Sequence, residues 1–237
     1  MTVHVLQLSD THLRADGQAV HGVDPRERLA TVLDAYCRLD TPLDLVVLTG
    51  DLTDDGSFMA CRDLADMLEP LGAPVLAVPG NHDRPQTLRG VFAADSIDVG
   101  PWRIVGIDTS RPDQVHGTVE VMAEAGRLDR HDPRPTVLAM HHPLVSPSGH
   151  PWFQCDGGEG FAAELAARPH VKAVIAGHLH YPYELPSPGP LVFGCPSVLV
   201  GISHQGTEIS VGGTELTGAR TLVLGDDGSI VSDLLIA

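Results

Sequence analysis

The stretch Ala73 to Pro85, APVLAVPGNHDRP, sets an amide, an imidazole and a carboxylate side by side where an apolar run ends. Val75 to Val78 has the length and composition of a buried strand. Gly80 permits a sharp turn, so Asn81, His82 and Asp83 are presented at the strand's carboxyl end. The same arrangement recurs along the chain. Asp10-Thr11-His12 follows the run Val3 to Ser9, and Gly50-Asp51 ends the run Asp44 to Asp51. His141-His142-Pro143 ends Thr136 to His142, and Gly177-His178-Leu179-His180 ends Val171 to His180.

Between these strands lie helical patterns. Asp24-Pro25-Arg26-Glu27 reads as an N-cap, a first-turn proline and an acid, opening a helix that runs to about Leu39. Further helices are expected over Ser57 to Leu71, Pro85 to Ala93, Val119 to Asp129 and Gly160 to Ala167. Trp102 to Ser110 is another strand, and Asp226-Asp227-Gly228 a hairpin turn. Ser146 to Gly158, rich in Pro and Gly, reads as a surface loop beside the site. Alternating strands and helices followed by added strands predict an α/β fold: two packed sheets with helices outside, in a single domain over residues 1–237.

The formal net charge is −16 and Lys172 is the only lysine, which argues against a long nucleic acid as partner. No apolar run is long enough to span a membrane. The N-terminus has neither a cationic segment nor a long apolar one, so a cytoplasmic location is expected. The four cysteines form no CxxC pair; Cys37 and Cys61 fall on apolar helix faces and are expected to be buried free thiols.

Strand-end ligands from five strands on one rim would make a metal site. Asp10 and His12, like His178 and His180, are two residues apart and point the same way in extended chain. Nitrogen and oxygen donors without thiolate suit Mn, Fe, Zn, Ni or Co. Asp10, His12, Asp51, Asn81, His141, His178 and His180 are too many for one tetrahedral ion, and two ions sharing a carboxylate account for them.

The ordered series D-x-H, GD, GNHD, H-x-P and GHxH, from Leu8 to His180, resembles the calcineurin-like metallophosphoesterases. That resemblance implies a four-layer α-β-β-α sandwich with two mixed sheets. It also implies Asp10, His12 and His180 on one metal, Asp51 bridging, and Asn81, His141 and His178 on the second. Fe and Mn come first, then Zn, Ni or Co. His82 would face the substrate phosphate with Asp83 orienting it, and Asn81 and His180 would also touch substrate. His142 is placed beside the ligands, not among them. GDLTDDGS, APVLAVPGNHDRP, MHHP and VKAVIAGHLH are most similar to the bacterial cyclic AMP phosphodiesterase branch, although Leu144 stands where many members have a second proline.

The implied function is hydrolysis of 3′,5′-cyclic nucleotides, cyclic AMP to AMP, by a hydroxide held between the metals. Broader action on glycerophosphodiesters or other small diesters is the alternative, and a non-catalytic scaffold the remote one. The expected partner is a small phosphodiester, with a homodimer as an option. Asp54 and Asp55 are read as turn residues, and Arg14 as either a phosphate contact or a solvated loop residue. His4, His21, His116, His131, His150, His170 and His204 are read as structural, with His21 and His204 as candidates to line the pocket.

Overall fold

The computed structural model describes residues 2–92, 95–129, 131–214 and 216–237. Its strands in chain order are β1 (Val3–Leu8), β2 (Leu45–Thr49), β3 (Val75–Val78), β4 (Ser96–Val99) and β5 (Trp102–Ile107). There follow β6 (Gly117–Thr118), β7 (Thr136–Met140), β8 (Cys155–Asp156), β9 (Val171–Ala176) and β10 (Tyr183–Leu185). The last are β11 (Leu191–Gly194), β12 (Ile202–Gln205), β13 (Glu208–Val211), β14 (Gly218–Leu224) and β15 (Ile230–Ile236). The helices are α1 (Pro25–Cys37), α2 (Phe58–Leu68), α3 (Pro85–Arg89), α4 (Val121–Arg127) and α5 (Gly158–Ala166).

Two mixed sheets result. The first runs β15-β14-β1-β2-β3 and the second β10-β11-β9-β7-β5-β4. In the first, β1, β2 and β3 are parallel, and β14 and β15 add antiparallel. In the second, β5, β7, β9 and β11 are parallel, with β4 and β10 antiparallel at the edges.

Side-chain alternation explains the layering. Val3 and Val5 of β1, with Leu45 and Val47 of β2, meet Ile104, Val137, Ala173 and Ile175 of the second sheet. The intervening Leu6, Leu8, Val46 and Leu48 pack on Leu29 and Val32 of α1 and Leu64 of α2. On the far side, Val105, Leu138, Met140 and Val174 pack on Ala125 of α4 and Phe161 and Leu165 of α5. The order is helix, sheet, sheet, helix, as expected.

Asp24 caps α1 through the amides of Arg26 and Glu27, and Ser57 caps α2 through Ala60. Several helix bounds differ from expectation. The stretch to Leu71 ends in a single 3-10 turn, Glu69–Leu71, because Pro70 cannot donate to the α ladder. α5 begins at Gly158, earlier than Gly160, and α3 closes at Arg89; Ala93 lies outside the described residues. Cys61 is buried, but Cys37 is exposed: the stripe of Leu29, Val32, Leu33 and Tyr36 faces the core, and position 37 lies off it. Among the described residues, no helix is long and apolar enough to cross a membrane.

Candidate metal centre

All five ligand-type stretches follow parallel strands at their carboxyl ends. Asp10 and His12 follow β1, Asp51 follows β2, and Asn81 to Asp83 follow β3; His141 follows β7, and His178 and His180 follow β9. Main-chain bonds join the first two loops: the Asp10 amide donates to Gly50 O at 3.0 Å and the His12 amide to Asp51 O at 3.0 Å. The loops are strained. Among the described residues eight non-glycine positions have positive φ, and five of them are Asp10, His12, Asp51, His178 and His180. Such backbone costs on the order of 1 kcal/mol per residue and persists where surrounding structure imposes it. Gly80 serves close approach: a Cβ there would overlap the Asp51 carboxylate and main chain.

Donor atoms within 4.8 Å of one another form overlapping groups: Asp10, His12 and His180; Asp10, Asp51 and His141; His12, Asp51 and His82; His141, His142 and His178. His12 Nε2 and His180 Nε2 face each other at 3.3 Å, and His180 Nε2 lies 3.3 Å from Asp10 Oδ1. His141 Nε2 is 3.4 Å from Asp51 Oδ2. The outer nitrogens are anchored. His141 Nδ1 donates to Thr49 O at 2.8 Å, His180 Nδ1 to Val200 O at 2.8 Å, and His178 Nε2 to Trp152 O at 2.9 Å. Donating outward fixes each ring and turns its other nitrogen toward the centre. His141 Nε2, His12 Nδ1 and Asn81 Oδ1 are buried with no hydrogen-bond partner. Orphaned buried donors beside two buried carboxylates fit a pair of cations.

The charges agree. Burial pushes the Asp10 and Asp51 carboxyls up, but His180 beside Asp10 and His141 beside Asp51 outweigh it and hold both below the usual carboxylate range. Burial pulls His141 down, yet Asp51 prevails and lifts its imidazole to about 9. In the protein alone a proton on His141 offsets the carboxylates, so a cation entering here displaces it. Burial, then His141, drives His178 down to about 3, leaving it neutral.

Three sequence expectations need revision. Asp83 does not orient the His82 imidazole. Its carboxylate accepts from the amides of Leu52 (3.1 Å), Thr53 (2.9 Å) and Gly80 (2.9 Å) and from the Thr53 hydroxyl (2.9 Å). Asp83 therefore holds the Asp51 loop, because four donors converge on the buried side of the turn. The carboxylate by the His82 ring is Asp54, whose Oδ1 lies 3.6 Å from His82 Nδ1 and 3.6 Å from His12 Nδ1. The His12 ring beside it leads the effects that hold Asp54 down to about 2. Asp54, read from the sequence as a turn residue, thus stands beside two candidate site histidines; only its place three residues after Asp51 hinted at it. Arg14 is tied to Asp16 at 2.8 Å and Asp54 at 2.7 Å, so it is neither a free phosphate contact nor a merely solvated loop residue.

His82 is the exposed member of the set, and its amide donates to Asp51 Oδ1 at 2.9 Å. His142 has both ring nitrogens engaged: Nδ1 accepts from the Thr109 hydroxyl at 2.7 Å and Nε2 donates to Val115 O at 3.0 Å. It packs on His178 with ring centroids 4.5 Å apart. It braces a ligand candidate from outside. His21 is exposed. His204 lies between Ser148 Oγ and Leu179 O and lines a cavity that includes His180.

The family model for calcineurin-like phosphoesterases matches residues 3–182. The chain is 30% identical to the 3′,5′-cyclic adenosine monophosphate phosphodiesterase CpdA of Escherichia coli, over 98% of this chain and 89% of that one. It is 28% identical to a 3′,5′-cyclic-nucleotide phosphodiesterase of Nostoc, over 97% of this chain and 90% of that one. Its fold is similar to that of a dimetal phosphatase from Danio rerio, with a TM-score of 0.63 at 14% identity over 98% and 99% of the two chains.

Proposed function

This chain belongs to the calcineurin-like phosphoesterase family, and from that premise we propose that it is a dinuclear-metal phosphodiesterase of 3′,5′-cyclic nucleotides, converting cyclic AMP to AMP. The observation that carries the reading is the convergence of Asp10, His12, Asp51, His141, His178 and His180 from both sheets, with the outer nitrogens of His141, His178 and His180 tied to carbonyls and the inner His141 Nε2 without a hydrogen-bond partner. Asp10, His12 and His180 would hold one ion, Asn81, His141 and His178 the other, with Asp51 between them. Iron or manganese is our first assignment, ahead of zinc, nickel or cobalt.

When bound, such ions lower the pKa of water and offset charge on phosphoryl oxygens. The chain's own contribution is positional. His82, exposed beside the centre, donates a hydrogen bond to a phosphoryl oxygen or a proton to the leaving alkoxide. Asp54 stands beside that ring, while Asp83 fixes the loop that carries it. Asn81 and His180 border the two cavities that flank the centre, one each, where a substrate would reach them.

We take residues 1–237 as one folding unit, a reading supported by Arg28 of α1 reaching Thr217 and the Ala237 carbonyl. A cytoplasmic setting is supported by four unpaired cysteines. A homodimer through β15 is supported by its edge position and by exposed Val231 and Ile236.

The deciding experiment compares cyclic AMP, cyclic GMP, 2′,3′-cyclic nucleotides and glycerophosphodiesters under Mn, Fe, Zn, Ni and Co. The highest kcat/KM is expected on cyclic AMP; a strong preference for a glycerophosphodiester would overturn the proposal.

A further inference from the structure

Two cavities flank the candidate metal centre. One, of about 520 Å³, is reached past Asn81 and His82 and is walled by Arg84, Arg89, Arg111, Asp108 and Asp113. The other, of about 430 Å³, shares His180 with the centre and lies between the Ser148 loop and the β12–β13 hairpin. Its walls include Leu179, Ile202 and Leu216, and its volume is in the range of small-molecule sites.

We infer that the His180-side cavity is the subsite for the nucleobase, resting on the cyclic-nucleotide reading above. An uncharged, flat heterocycle gains by leaving water for apolar walls, and a cavity walled by charged side chains offers it less of that area. The charged cavity at His82 therefore suits the base poorly. Geometry admits the apolar one. A base must be joined through its ribose to a phosphate at the centre, and His180 is the wall common to both spaces. His204 makes that wall rigid, bonding Leu179 O at 2.9 Å and Ser148 Oγ at 3.1 Å, so that neither of its nitrogens is left for a ligand.

The polar groups that remain for recognition are few. Among the described residues, Tyr181, Ser203 and Gln205 line the cavity with side chains that make no hydrogen bond. A primary amide offers one donor and one acceptor side by side, the pairing that matches adenine N6 and N7. Guanine presents two acceptors at that edge and satisfies only half of it. Gln205 is thus assigned the selection of adenine.

The test measures binding as well as turnover, using metal-loaded protein. Wild type is expected to bind AMP at least roughly tenfold more tightly than ribose 5-phosphate, since the base adds buried apolar area. Ser203→Trp, on the exposed hairpin, should fill the cavity, abolish that advantage and leave ribose 5-phosphate affinity and metal content unchanged. Gln205→Ala should lower the preference for AMP over GMP by roughly two- to tenfold, the worth of one hydrogen bond. An AMP advantage that survives Ser203→Trp, or that is missing in wild type, overturns the subsite. An advantage that is present and lost in Ser203→Trp, in a protein that leaves cyclic nucleotides intact, keeps the subsite and overturns the proposed reaction instead.

Discussion

The two sheets bring different chemistry to the rim they share. Loops after β1, β2 and β3 of the first sheet carry the carboxylates Asp10 and Asp51, the amide Asn81 and the imidazole His12. Loops after β7 and β9 of the second carry imidazoles only: His141, His178 and His180. The anionic half needs positive charge, and the imidazole half supplies lone pairs and, through His141, a proton. Cations at the junction would draw on both, so that binding chemistry and sheet packing support one another.

The sharpest way to break this complementarity is at Asp51, which belongs to two of the four donor groups and carries the carboxylate nearest His141. Asp51→Asn should lower turnover by on the order of 10³-fold or more, with loss of bound metal, because the shared negative charge is gone. Metal analysis beside steady-state kinetics checks it; full metal occupancy with full activity would refute the bridging role. His82 sits on the anionic side, and its hydrogen bond to the centre comes from its backbone amide, to Asp51 Oδ1. His82→Ala should keep both metals and lower kcat roughly 10²- to 10⁴-fold. Metal loss in that variant would reassign His82 as a ligand.

The imidazole half depends on its outer partners. Thr109 both donates to His142 Nδ1 and accepts from the His142 amide, beneath His178. Thr109→Val leaves those buried groups unpaired, so a cost of about 1–3 kcal/mol is expected. It should appear as a lower urea midpoint at unchanged slope, with metal affinity falling roughly tenfold or more. An unchanged midpoint would show that water replaces the hydroxyl.

The smallest expected effect is on acid stability and concerns the anionic half. The Asp54 carboxyl sits near 2 when folded, against about 3.9 unfolded. Between those values the unfolded chain binds more protons, so stability rises with pH through the window and is lost as pH falls from about 4 to about 2. Asp54 is only partly buried, so the contribution is modest. Asp54→Asn should flatten that limb of the pH–stability curve; an unaltered limb would mean its contacts with His12 and Arg14 carry no net charge energy.

Much of the site is legible in the sequence because strand-end motifs are local. Gly80 next to Asn81, or the two-residue spacing of His178 and His180, encodes both a turn and a donor direction within a few residues. The parts that are not legible depend on which loop lies against which. Asp83 follows His82 directly, yet its carboxylate turns away to four donors near Gly80 and the Asp51 loop. Asp54, 28 residues from His82 in sequence, is the carboxylate that reaches it. The short strands β4 and β10 to β13 also escape sequence reading, since three or four residues carry too little periodicity to register.

By itself, then, the sequence determined the donor types, their strand-end placement and the α/β layering, because apolar alternation and turn chemistry act over short range. Only the tertiary structure decided how the charges are shared: which carboxylate stands by His82, which imidazole lies against Asp51, and which flanking cavity is apolar. Those outcomes follow from the packing of two sheets rim to rim, where distances between residues far apart in the chain set both electrostatics and desolvation.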